Sequence, residues 1–434
     1  MTVHAPWLAA LAGIALAGTA ASQPSALAGA QALAPVFDAL SAASEGRRDA
    51  PVQILQIGDS HTAADHIASA LRSRLQARFG AGGRGVLPPG VPFAGYAPRQ
   101  VQVEASAGWR LDASFPLAER GAGRFGLSGW RLTSTAPGAS VVLHAEPEAR
   151  FDRAAVCAEA RPGAGLLTVA AGPGRAAWPL ATAAVVAPVC RAFSFAPPQV
   201  RLELTGEGGP VTLLSFATGR RAGGVSLSNL GVSGAALADF AARDDLVLAA
   251  EMDAYAPDLI VVAFGTNEGF DTDLDPAAYE HLVRRQIHRL RRLAPRSAVL
   301  LLGPPDAETI RPDIAMDGVA DRGFGCAPLT PAEAAAYPRL VAERSPALAR
   351  WYAPPRLAEV REAQRRAAAR AGAAFWDWSA RMGGDCSAHR LSRPEIKLVR
   401  GDHIHFTTAG GDRVGALLFE DLMAAWSVRR RSGG

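Results

Sequence analysis

Four short stretches of the chain carry the residue types that acyl-transfer chemistry needs. Ser60 and His61 stand side by side in VQILQIGDSHTAADH, directly after an apolar run. Near the C-terminus, VRGDHIHFTTAGG places Asp402 three residues before His405. A carboxylate at that spacing reaches Nδ1 of the imidazole, fixes its tautomer and stabilises the imidazolium formed when Nε2 takes a proton. A serine needs such a base because its hydroxyl is a weak nucleophile at neutral pH. Thr407 and Thr408 are placed to cap the helix that follows and so hold His405 on a rigid element. Gly234 in SNLGVSGA and Asn267 in AFGTNE each follow a strand-like run. With the Ser60 N–H, a glycine N–H and an asparagine amide would aim donors at a developing oxyanion. His61, Glu268 and His403 are expected to line the pocket, and no chemical role follows for them from the sequence.

The same stretches also admit a metal. Asp59, His61, Asp402, His403 and His405 make D-x-H and G-D-H-x-H patterns similar to those of metallophosphoesterases. Those enzymes also need G-N-H-[DE], and the corresponding piece here, Gly265-Thr266-Asn267-Glu268, has no histidine. Neither C-x-x-C nor H-E-x-x-H occurs, so the expectation is no metal and no cofactor. Asp377, between the two tryptophans of FWDW, is a further candidate for a sugar site, although W-x-W at a strand end is more often core.

The elements around these residues alternate. Val52–Ile57 reads as a buried strand ending at Gly58, and Ile67, Leu71, Leu75 and Phe79 then recur every four residues on one helix face. Ser60 therefore falls on a strand-to-helix turn, the edge of an α/β sheet at which ligands bind. Residues 259–264 and 298–303 read as further strands, 276–293, 355–371 and 408–426 as helices, and AFWDW as a last strand. That grammar predicts a parallel, doubly wound sheet. Residues 96–225 break it with short alternating runs such as SVVLHAE, VRLELTG and VTLLSFA between Gly and Pro turns, the pattern of an all-β sandwich or jelly roll. An α/β domain over 45–95 and 226–428 is thus expected to be split by a β insertion.

The chain of 434 residues is 49% hydrophobic and 20% charged, with a net charge of +4. Lys397 is its only lysine, and no dense basic block interleaved with aromatics occurs, so nucleic acid is not an expected partner. Trp7 to Ala21 is apolar, rich in small residues and too short to span a bilayer comfortably. Ala26-Leu27-Ala28 offers an A-x-A cleavage site, with Ala21/Ser22 as an earlier option, although no Lys or Arg precedes the run. A signal peptide over 1–28, a periplasmic or secreted location and no stable membrane insertion after cleavage are expected. Four cysteines allow three pairings; their regional segregation favours Cys157–Cys190 and Cys326–Cys386, with four free thiols as the alternative.

GDS, a glycine after a strand, G-x-N and D-x-x-H, in that order, resemble the four blocks of the SGNH (GDSL-like) hydrolases. The resemblance implies a flavodoxin-like three-layer α/β fold, with Ser60 as nucleophile, Gly234 and Asn267 as oxyanion donors, His405 as base and Asp402 as its partner. His61 in place of leucine, Glu268 after GTN and the roughly 170 residues between Ser60 and Gly234 depart from common members. IGDSHTAADH, GGRGVLPPGVPFAGY, GTNE and FWDWSARMGG are similar to the periplasmic peptidoglycan O-acetylesterases, which carry a β-rich, carbohydrate-binding-module-like insertion at this place. The implied reaction removes O-acetyl groups from N-acetylmuramoyl residues through an acetyl-serine, with acetylated peptidoglycan or another polysaccharide as partner. An acetyltransferase, an esterase of another acetylated glycan and a glycan-binding protein with decayed catalysis are the other readings.

Overall fold

The computed structural model describes residues 26–116, 121–311 and 325–432, so most of the expected leader lies outside the described residues. Its central sheet has six strands, in chain order β1 (Leu27–Ala28), β2 (Val52–Gly58), β3 (Val225–Gly231), β4 (Leu259–Ala263), β5 (Ala298–Leu302) and β6 (Ala374–Trp376). In space they run β1-β6-β5-β4-β2-β3. Strands β2 to β6 are mutually parallel, in the 2-1-3-4-5 order of flavodoxin-like sheets, and β1 adds an antiparallel edge. The helices that position the site are α1 (Ala34–Ser44), α2 (Ser60–Ala63), α3 (His66–Phe79), α4 (Asp245–Tyr255), α5 (Thr266–Phe270), α6 (Pro276–Leu293), α7 (Leu357–Ala371) and α8 (Thr408–Ser432).

Helices cover both faces of this sheet, which is why β4 and β5 read as unbroken apolar runs. Val52, Ile54, Val261 and Leu300 face a core shared with α1, α3 and α8. Leu55, Ile57, Ile260 and Val262 point the other way, into a core with α4, α6 and α7. Trp376 and Trp378 are buried, and Asp377 caps the turn between them by accepting from the Ala380 N–H at 3.0 Å. FWDW is therefore core and cap. No helix among the described residues is long and apolar enough to cross a membrane.

Two antiparallel sheets interrupt this architecture between α3 and β3. One holds Val101–Ala105, Ser140–Ala145, Leu166–Ala171, Gly174–Pro179 and Arg201–Glu207. The other holds Trp109–Ala113, Trp130–Ser134, Phe151–Ala160, Ala187–Gln199 and Val211–Gly219. Val103, Leu143, Val169 and Leu204 of the first meet Leu132, Val156, Leu213 and Phe216 of the second in a core of their own. The outer face of the second sheet is covered too, because Ala155, Cys157 and Leu214 join the core around α4. Gly85–Leu87 already pairs with Val211–Gly219, and Val225 opens β3, so the β-rich region begins earlier than residue 96. Three residues are too few to show an alternating pattern.

Both disulfides follow the regional pairing: Cys157 and Cys190 face each other on neighbouring strands, and Cys326 joins Cys386. A leader ending at residue 28 does not fit the sheet. Leu27 is buried and pairs with Trp376, and Ala28 pairs with Phe375, so a cut after Ala28 would remove β1. Cleavage at Ala21/Ser22 would leave it whole.

Candidate active site

Strand β2 ends at Gly58 because nothing larger fits there: a Cβ would lie 2.4 Å from the Ala263 carbonyl oxygen and 2.3 Å from Thr62 Oγ1. The Asp59 N–H then bonds to the Ala263 carbonyl at 3.2 Å, and the Asp59 carboxylate accepts from the His61 N–H at 2.9 Å. This cap turns the chain into α2 with Ser60 at its first position. Gln56 Nε2 donates to Thr62 Oγ1 at 3.0 Å and Asn229 Nδ2 to the Thr62 carbonyl at 3.2 Å, which ties α2 to β2 and β3.

Ser60 Oγ lies 2.9 Å from His405 Nε2, and His405 Nδ1 lies 2.8 Å from Asp402 Oδ2. Asp402 Oδ1 accepts from the N–H groups of Ile404 and His405 at 3.0 and 2.9 Å. Burial works against ionisation of Asp402, but these two N–H groups and the imidazole outweigh it and hold its carboxyl below the ordinary value. A carboxylate that stays ionised accepts the Nδ1 proton and leaves Nε2 as the acceptor facing Ser60. Thr407 Oγ1 accepts from the Gly410 N–H at 3.1 Å, so the threonine caps α8 directly behind the base.

Asn267, on α5, donates from Nδ2 to the Ala235 carbonyl at 2.9 Å. That bond brings Asn267 to the turn containing Gly234 and uses one of its two amide hydrogens. Gly234 is exposed with φ +82°, and the Phe115 ring of the β-rich region lies 3.1 Å from where its Cβ would stand. Gly231, by contrast, is locked inside the sheet edge, where a Cβ would fall 2.1 Å from the Ala63 nitrogen.

Of the three further residues expected to line the pocket, one does. A cleft of about 460 Å³ opens over Ser60 and His405, lined by His61, His66, Phe93, Ser233 and Arg400 among others. The His61 ring is buried; its Nε2 lies 3.0 Å from the Ile404 carbonyl and its Nδ1 3.3 Å from Asp59 Oδ1. Glu268 is buried away from the cleft, where Oε1 accepts from the Leu237 N–H at 2.7 Å. His403 also turns away, with Nε2 2.8 Å from Ser392 Oγ and its ring stacked 3.6 Å from Trp351. His403 thereby leaves the set of five side chains that the metal reading needs. Glu268 and His403 meet partners far off in sequence, so adjacency to a motif misled.

A GDSL-like lipase/acylhydrolase family model matches residues 199–413. A solved structure of a peptidoglycan O-acetylesterase is similar over 91% of this chain and 96% of its own, with a TM-score of 0.71 and 25% identity. The chain is an SGNH (GDSL-like) hydrolase. It is a carboxylic-ester hydrolase. The family match begins inside the β-rich region and omits the Ser60 block, whereas the structural likeness spans both halves of the SGNH domain. A salicylyl-acyltransferase of a tetracycline biosynthetic pathway covers 79% of this chain and 97% of its own at 14% identity and a TM-score of 0.32. An acetyl xylan esterase covers 45% of this chain and 79% of its own at 14% identity, with a TM-score of 0.27. Neither carries weight at those scores. No curated protein matches the chain.

Proposed function

We propose that this SGNH hydrolase removes O-acetyl groups from peptidoglycan with Ser60 as nucleophile. The observation that carries the reading is the unbroken hydrogen-bonded chain from Ser60 Oγ through His405 to Asp402, 2.9 and 2.8 Å, at the floor of an open cleft. Ser60 Oγ attacks the acetyl carbonyl carbon while His405 Nε2 takes its proton. The oxyanion is received by the N–H groups of Ser60 and Gly234 and by the second amide hydrogen of Asn267. Collapse breaks the bond between the acyl carbon and the sugar oxygen, and His405 returns the proton to that oxygen. Water, deprotonated by His405, then cleaves the acetyl-serine and releases acetate.

The substrate is supported by likeness to the peptidoglycan O-acetylesterase over nearly the whole chain. A location outside the cytoplasm follows from that substrate and from the two disulfides, which persist in oxidising compartments. Cleavage of the leader at Ala21/Ser22 keeps β1 in the mature sheet. Phe115 of the β-rich region lies beside Gly234, and the chain that follows its strand Gly85–Leu87 supplies the cleft-lining residues Phe93, Ala94, Gly95 and Ala97, so we infer that this region shapes the substrate surface.

The test is acetate release from O-acetylated peptidoglycan by the wild type and by Ser60→Ala, each with and without EDTA. Release that survives EDTA and disappears in Ser60→Ala is expected. Release abolished by EDTA alone would overturn the serine mechanism. A wild type that cleaves p-nitrophenyl acetate but frees no acetate from the polymer would overturn the substrate.

A further inference from the structure

The cleft over Ser60 is one-sided in charge. Arg400 and the histidines His61, His66 and His405 line it, and no carboxylate does. Acidic groups nearby are already engaged: Asp402 with His405, Asp412 with Arg74 at 3.0 Å, and Asp65 with Arg72 and Arg84 at 3.0 and 3.2 Å. Arg400, in contrast, has no carboxylate within ion-pair distance among the described residues, and neither does Arg99.

Both arginines are held by their backbones. The Arg400 N–H donates to the His405 carbonyl at 2.7 Å, and its own carbonyl accepts from the His403 N–H at 3.0 Å, so it is built into the turn that carries the base. Arg99 closes the loop whose residues Phe93, Ala94, Gly95 and Ala97 form one wall of the cleft. Its N–H donates to Asp65 Oδ2 at 2.8 Å, and its carbonyl accepts from Arg84 Nε at 3.0 Å. Asp65, Arg72 and Arg84 are all buried, so a fixed ionic cluster anchors the wall. His66, also in the cleft lining, has its pKa lowered first by burial and further by the charges of Arg99 and then Arg400. Arg99 also acts on Glu146 and Asp412, neither of which lies within ion-pair distance of it.

Two exposed arginines on anchored backbone, Arg400 in the lining of the cleft and Arg99 two residues beyond Ala97 of its wall, beside a lining without an acid, suit a carboxylate, which a guanidinium binds through paired N–H donors. We propose that Arg99 and Arg400 form a carboxylate subsite beside the ester-cleaving centre, so that the preferred substrate is an acetylated glycan that bears carboxylates. This rests on the reading of Ser60 as an esterase nucleophile and sharpens it, because the peptide stems of peptidoglycan carry free carboxylates whereas acetylated xylan or chito-oligosaccharide backbones carry none.

The experiment compares kcat/KM for acetate release from three polymers: O-acetylated peptidoglycan, O-acetylated polygalacturonate and O-acetylated chito-oligosaccharide, with p-nitrophenyl acetate as a reference ester. Wild type, Arg99→Gln and Arg400→Gln are measured, with Arg285→Gln on the exposed face of α6 as a control. Wild type should prefer the carboxylate-bearing polymer. Each of the two substitutions should cut the ratio of anionic to neutral kcat/KM by about tenfold, the scale of one charge-assisted hydrogen-bonded pair, and Arg285→Gln should leave it in place. A wild type without preference for charged polymers would overturn the subsite, as would variants that slow neutral and anionic substrates by the same factor. Release from polygalacturonate but not peptidoglycan, with the arginine dependence intact, would keep the subsite and overturn the peptidoglycan reading. Cleavage of p-nitrophenyl acetate alone would overturn both.

Discussion

His61 and His405 lie with ring centroids 5.5 Å apart and planes 30° from parallel, each imidazole facing its own aspartate, Asp59 and Asp402. His61 also reaches across to the Ile404 carbonyl, within the turn that presents His405. The residue after the serine therefore clamps the base to the nucleophile turn. His61→Leu should lower kcat on p-nitrophenyl acetate roughly 10- to 100-fold, the usual scale for an orienting partner, with KM little changed. His61→Gln, which keeps a donor for the Ile404 carbonyl, should recover part of that loss. A kcat for His61→Leu within twofold of wild type would show that the clamp is dispensable.

The same pair has a pH signature. Burial pushes the His61 pKa down, but the hydrogen bond and charge of Asp59 and the Ile404 carbonyl outweigh it and leave the net value above the usual 6.5. A histidine raised in the folded state stabilises fully below its unfolded value, and the contribution disappears as pH climbs through the folded value. Thermal melts of wild type minus His61→Leu should therefore show a stability difference that is largest at acidic pH and shrinks above neutrality. A difference that grows toward alkaline pH would contradict this assignment.

Asn267 offers a cleaner separation of chemistry from folding. Its bond to the Ala235 carbonyl is worth about 1 kcal/mol of stability. A lost oxyanion donor costs roughly two to three orders of magnitude in rate. Asn267→Ala should thus fall at least a hundredfold in kcat with a melting temperature only a few degrees lower. A kcat within fivefold of wild type would remove Asn267 from the oxyanion hole.

What the sequence made legible divides along physical lines. Ser60, Asn267, Asp402 and His405 were readable because each stands in a short local pattern, and the order of the patterns along the chain carries the information. Strands β4 and β5 were readable because burial on both faces leaves no polar residue in them, and β2 because only Gln53 and Gln56 interrupt its apolar run. The edge strand Leu27–Ala28 was hidden, since two residues after an apolar leader carry no periodicity. Glu268 and His403 were misplaced because their partners, Leu237, Ser392 and Trp351, meet them only through the fold. The cluster of Asp65, Arg72 and Arg84 was equally invisible, as charged residues on an amphipathic stretch read as solvated until a second element covers them.

That cluster makes a prediction of its own. Burial works against the Asp65 carboxylate, but the charges of Arg72 and Arg84 outweigh it and hold its pKa below the usual 3.8. Asp65→Asn would leave two fully buried guanidinium groups without a counter-charge and put an amide NH2 in place of one of the oxygens that accept from Arg72, Arg84 and the Arg99 N–H. Breaking one side of a buried ionic group typically costs about 3–5 kcal/mol. Urea unfolding should show a loss of that size, together with a raised KM for polymer as the wall at residues 93–99 loosens. A loss below about 1 kcal/mol would mean that the cluster does not anchor the wall.

Glu268 should show the opposite sign. Burial raises its pKa to about 7, opposed by the Leu237 N–H and reinforced by the charge of Asp59. Oε2 has no hydrogen-bond partner. A carboxyl that is harder to ionise folded than unfolded leaves the native state holding the extra proton, so stability falls as pH rises from about 4.5 toward 7 and is level above. Glu268→Gln keeps an oxygen for the Leu237 N–H and places an uncharged amide where the ion would be. The variant should match wild type near pH 4.5 and exceed it at pH 8 by roughly 1–3 kcal/mol, the order that a buried carboxyl shift of this kind implies. Parallel pH series of chemical unfolding decide the matter: a Glu268→Gln advantage that is the same at both pH values would mean that the charge on Glu268 is not what limits stability.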